Sequence, residues 1–76
     1  FSFCLLTYTI EKDSKVVATA EGLTNTDEDG KHIAFLIGPD IEIGDVLISS
    51  TGEKFIVKHI GYDTYNGQPE LIKAYY

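Results

Sequence analysis

Seventy-six residues with 43% hydrophobic content bound this chain to one small folded domain, too apolar for disorder and too short for a second core. Six lysines against twelve acidic residues, no arginine and a net charge of −6 argue against nucleic acid as a partner and against an anionic membrane surface. No apolar run approaches the roughly 20 residues of a transmembrane helix. Cys4 is the only cysteine, so no intrachain disulfide can form, which disfavours a stapled secreted module and favours the cytoplasm.

The chain begins at Phe1 with a strand-like run, which reads as one domain, residues 1–76, cut close to its boundary from a longer protein. A first strand is expected over Ser2–Ile10, with Cys4 behaving as a small buried hydrophobe. The polar turn Glu11–Ser14 follows, then a second strand over Lys15–Glu21. Gly22–Lys31 is polar and reads as a loop ending in the turn pair Asp29-Gly30. His32–Ile37 is apolar almost throughout, as in a strand covered on both faces, and Gly38-Pro39-Asp40 ends it.

Ile41–Ile48 has a strand pattern interrupted by Gly44-Asp45, the mark of a bulge or sharp bend, with Asp45 capping the bend. Thr51-Gly52-Glu53-Lys54 is a compact hairpin connection. Beyond it Phe55, Val57 and Ile60 point inward, with a register break near His59. Tyr62–Gln68 reads as a polar turn built on Asn66-Gly67, and Glu70–Tyr76 as the last strand. Period-two alternation leaves that strand's register open, with either Leu71 and Ala74 or Ile72 and Tyr76 facing the core. Seven glycines spaced six to nine residues apart punctuate these runs, and no window carries an apolar face at helical spacing. The class is all-β.

The pattern carried by Ile41, Gly44, Asp45 and Leu47, then Gly52, Phe55, Val57 and Ile60, resembles the hairpin of small SH3-like β-barrels. That resemblance implies an antiparallel barrel of five to six strands and says nothing of chemistry, because such folds host unrelated roles. The C-terminal half is also similar to small accessory proteins of phages and prophages, which implies an accessory or structural role.

Candidate sites are few. Asn25, Asp27 and Asp29, followed by Gly30, place oxygen ligands as in the first half of a calcium loop, yet Ile33 and Leu36 stand where its later ligands belong. An acidic hairpin loop explains these residues as well, and a weak cation site is the most they offer. His32, His59 and Cys4 fall short of a zinc ligand set, and the carboxylates are scattered along turns without a catalytic pairing. We therefore expect no enzyme and no cofactor. Tyr62, Tyr65, Tyr75 and Tyr76 are the most suggestive residues, because tyrosine is rigid, large and amphipathic and favours interfaces, although small barrels also use such rings as core. The expectation is a non-catalytic module for a protein partner or for self-association, working through these tyrosines or an exposed strand edge, for which the apolar terminal strand, with Lys73 as its one charge from Leu71 to Tyr76, is the candidate. The rival is a small barrel that binds nucleic acid through surface aromatics, against which the charge counts.

Overall fold

The computed structural model describes residues 5–36 and 38–76, and only the backbone of Tyr65 and Pro69. Phe1–Cys4 and Ile37, including the expected burial of Cys4, lie outside the described residues. The strands are β1 (Leu6–Lys12), β2 (Lys15–Asp27), β3 (Gly30–Leu36), β4 (Val46–Ser49), β5 (Lys54–Ile56), β6 (His59–Tyr65) and β7 (Gln68–Tyr75). They form one antiparallel sheet in the order β5-β4-β1-β2-β3-β7-β6.

Two tight turns set the register of the hairpins. Asp13 and Ser14 both have positive φ (52° and 64°), as do Asn66 and Gly67 (53° and 76°). That geometry matches the twist of the flanking strands, which is why two residues suffice in each place. The Asn66-Gly67 signal was legible, but the strands run right up to it, so Tyr62–Tyr65 and Gln68 are strand rather than turn. Gly22–Asp27 is likewise strand, the second half of a 13-residue β2. The first half of β2 pairs with β1 and the second with β3, and Gly22 is the residue paired with both, opposite Leu6 and Phe35. No side chain fits there: a β-carbon on Gly22 would stand 2.7 Å from both Ile33 Cγ2 and Phe35 Cε1.

One sheet face carries the core. Tyr8 and Ile10 of β1, Ile33 and Phe35 of β3, Leu47 of β4, and Ile72 and Ala74 of β7 meet there. Tyr8 sets its ring edge-on to Phe35 at 5.6 Å. The register of β7 is thereby settled, with Ile72 and Ala74 inward and Leu71, Lys73 and Tyr75 on the opposite face. The connections close the core: Ile41 and Val57, both outside the strands, are buried in it. The bend at Gly44 (φ 96°) precedes β4 instead of interrupting a strand. Asp45 holds it, its buried carboxylate accepting the Glu42 N–H at 2.8 Å and the Lys12 ammonium at 2.6 Å. Those contacts raise the Lys12 pKa, the hydrogen bond to Asp45 contributing most.

The sheet is open, and this corrects the expected SH3-like barrel. Among the described residues it has seven strands, not five or six, and its edges, β5 and β6, do not pair with each other. The reason lies at Val57-Lys58. These two residues carry the chain from one edge strand to the other, and Val57 turns into the core while Lys58 N–H bonds to Tyr75 O. β5 is only three residues long, and its Phe55 packs at a tilt against Tyr76, the residue that follows β7, with ring centroids 4.5 Å apart. The hairpin residues that carried the SH3 likeness are present, but they do not close a barrel. The likeness of the C-terminal half to small phage accessory proteins is not borne out either, since that half forms β4–β7 of this open sheet.

Candidate functional site

The free side of β6 is a consequence of its pairing. Tyr75 O accepts from Lys58 on the β6 side, while Tyr76 N–H bonds to Lys31 O on the β3 side. Alternation along an antiparallel ladder then directs His59, Gly61 and Asp63 at β7 and turns the N–H and C=O of Ile60 and Tyr62 outward. The register shifts by one after Asp63, but the extra residue, Glu70, falls in β7, so β6 keeps its phase and Thr64 is outward as well. Pro69 fits this pattern: it opposes Thr64, at a position whose missing N–H no ladder needs, because β3 ends opposite Leu71. Among the described residues no strand pairs with the outward side of β6. Tyr62, at the middle of the strand, is 59% exposed.

The four tyrosines therefore separate. Tyr62 is on the open edge, and Tyr65 ends the same strand with its backbone paired to Gln68. Tyr76 is half-buried against Phe55. Tyr75 is 6% exposed, beneath a polar cluster. The terminal strand is not an edge, as its sequence suggested, because β7 is flanked by β3 and β6; the open edge lies one strand further out.

The cluster over Tyr75 lies on the face opposite the core. The Tyr75 hydroxyl donates to Asp27 Oδ2 at 2.8 Å, and Lys73 Nζ reaches the same oxygen at 3.2 Å and Asp63 at 3.3 Å. The His32 and His59 rings flank Tyr75, at 4.9 and 5.5 Å. Gly61 leaves room for it, since a β-carbon there would stand 3.1 Å from the ring. Desolvation alone would raise the Asp27 pKa, but hydrogen bonds from Tyr75, the Asp29 N–H and Lys73 outweigh it and hold the carboxyl at about 2. Burial and the Asp27 contact push the Tyr75 hydroxyl up. The hydrogen bond to Asp27 is the main cause of the raised Lys73 pKa. Each partner is engaged by another member, so the cluster acts as a clasp tying the β2–β3 turn to β7.

That clasp also takes up the calcium candidate. Asn25 and Asp27 lie in β2, where Asn25 Oδ1 accepts the neighbouring Thr26 N–H. Asp27 Oδ1 accepts Asp29 N–H at 2.8 Å, and its other oxygen belongs to Tyr75 and Lys73. Among the described residues no group of three or more His, Cys, Asp or Glu is placed to hold a metal ion. Nor is there, among them, a helix long and apolar enough to cross a membrane.

Sequence reasoning missed a second feature of this outer face. Leu5, Leu23, Ala34, Leu36, Pro39 and Leu71 line an open apolar groove of about 660 Å³, in which Leu36 is 69% exposed. The signal was in the alternation of β3, where Ala34 and Leu36 share a face with His32 and not with Ile33 and Phe35. No protein family, curated protein or solved structure matches the chain.

Proposed function

We propose that this chain is a non-catalytic protein-interaction module that takes an extended segment of a protein partner as an added strand along β6. The observation that carries the reading is the seven-residue open edge with an exposed tyrosine at its middle. Natural sheets blunt such edges with short strands, proline, charged side chains and bulges. The one carboxylate of β6, Asp63, is taken up by Lys73, and the bulge of its ladder lies in β7. The other edge follows that practice, since β5 has three residues and begins with Lys54. β6 contains neither lysine nor proline. Strand addition draws affinity from main-chain hydrogen bonds and specificity from alternate side chains, for which Tyr62 supplies the anchor. Lys12 and Lys73 are both engaged by carboxylates, which further weakens the case for nucleic acid. A cytoplasmic setting accords with the lone cysteine.

The test is affinity capture from extracts of the cells that make the chain, using the wild type, Tyr62→Lys on the edge, and Val16→Lys on the exposed start of β2 as a control. A partner held by the wild type and the control, lost from Tyr62→Lys, and slowing hydrogen exchange at Ile60, Tyr62 and Thr64 supports the reading. Equal capture by Tyr62→Lys, or exchange at those amides unaffected by the partner, overturns it.

A further inference from the structure

We infer that the free side of β6 pairs with the same strand of a second copy, antiparallel, about a two-fold axis through Tyr62. The inference rests on β6 being the interaction edge and names one partner for it. Its ground is the symmetry of the strand. Tyr62 is the midpoint of His59–Tyr65, and it is one of the residues whose N–H and C=O turn outward. Centring the pairing on Tyr62 sets Tyr62 opposite Tyr62 and Ile60 opposite Thr64 of the second copy. Every outward N–H and C=O of β6 then has a partner, over the full length of the strand.

Charge selects among the registers. Centred on Tyr62, the pairing sets Asp63 opposite Gly61 of the second copy, so no two carboxylates face each other. Centring on Asp63 would oppose two carboxylates directly, which is unfavourable. Centring on Gly61 leaves Thr64 without an outward-turned partner, because Lys58 N–H is already bonded to Tyr75 O. On the face it shares with Ile60, each Tyr62 ring would lie beside its copy, covering a side chain that is now exposed. β5, at three residues, offers no comparable length for an edge-to-edge contact.

Two opposing terms set the strength. A seven-residue edge supplies only part of the ~1,600 Å² of a standard interface, so the pairing is weak. Each copy also carries −6, and their mutual repulsion is relieved by salt, the screening length falling from about 30 Å at 0.01 M to about 8 Å at 0.15 M. The dimer is therefore expected to tighten as salt is added, opposite to an association held by ion pairs.

The experiment uses the full chain with Cys4→Ser and one new cysteine at a time, each variant first shown to fold by its denaturant melt. Directly opposed residues of an antiparallel pair have Cα atoms about 5.5 Å apart, within disulfide range. Under mild oxidation Tyr62→Cys is expected to give at least about tenfold more linked dimer than His59→Cys or Asp63→Cys, and Ile60→Cys to link to Thr64→Cys more than to itself. In sedimentation without new cysteines, Tyr62→Lys, which sets two ammonium groups together on the axis, should weaken association by at least about tenfold, with Val16→Lys unchanged. Monomer at millimolar concentration in both low and high salt, or linking centred on another residue, overturns the inference. That failure leaves strand addition by a different protein standing, because the capture experiment scores it separately. Equal capture by Tyr62→Lys together with a salt-insensitive monomer removes both.

Discussion

Placing a single methyl group on Gly22 tests whether the core is packed as tightly at the strand's change of partner as the geometry requires. The new β-carbon would lie 2.7 Å from Ile33 Cγ2 and from Phe35 Cε1, against an ordinary carbon contact of about 3.5–4.0 Å. Roughly 1 Å must therefore be found at two side chains that are 0% and 1% exposed. Overpacking of this kind costs about 1–3 kcal/mol, offset by the about 0.5–1 kcal/mol that alanine gains over glycine in restricting the unfolded chain. A net loss of about 1–2 kcal/mol is expected for Gly22→Ala. At this chain length each lost kcal/mol lowers Tm by about 4–8 °C. The assay is a urea melt followed by tyrosine fluorescence, since the chain has no tryptophan, with the m-value checked for constancy. Gly61→Ala is the comparison: its nearest contact is 3.1 Å, to the edge of the Tyr75 ring, and its loss should be smaller. A Gly22→Ala protein as stable as wild type, at unchanged m, would refute the packing argument.

Two further outcomes concern the turns and the clasp. Ser14 adopts φ 64°, a left-handed conformation costing a residue with a β-carbon about 1–2 kcal/mol, so Ser14→Gly should raise stability by about 0.5–1 kcal/mol after glycine's own entropy is counted; a destabilised variant in thermal melts contradicts this. Asp27 is held at about 2 against an ordinary 3.8, so its ionised form stabilises the fold above the ordinary value and that contribution is lost as pH falls from about 4 to about 2. Asp27→Asn should flatten the stability profile across that window; equal slopes for the two proteins would show that the clasp contributes nothing.

The all-β class and most strand positions were legible because glycine, turn pairs and alternation report local geometry. Asn66-Gly67 marked its turn, and Gly44-Asp45 its bend, since both depend on backbone conformations that few residues adopt. What failed depended on distant partners. Tyr62–Tyr65 looked like turn because it is polar, yet pairing with β7 makes it strand. Gly22–Asp27 looked like loop for the same reason until β3 supplied its ladder. Barrel closure could not be read from the hairpin of Ile41–Ile60, because closure depends on where Val57-Lys58 sends the chain. The clasp was invisible because Asp27 and Tyr75 meet only through the register of β3 with its two neighbours. The open edge was expected one strand too far inward, since nothing local distinguishes a flanked strand from an outer one.

The order of the strands also sets how the chain reaches its fold. The β1–β2, β2–β3, β4–β5 and β6–β7 hairpins are local and close in about 1–10 μs. The two remaining seams join residues about forty apart, Tyr8 to Ser49 and Phe35 to Ile72, and such non-local pairings place folding in the millisecond-to-second range. While they are unmade, the β6–β7 hairpin exposes strand edges on both sides. Docking of β3 seals the β7 side. No strand among the described residues seals the β6 side at that step, so chance strand pairing in a crowded solution competes there with the intended partner for as long as the edge is uncovered.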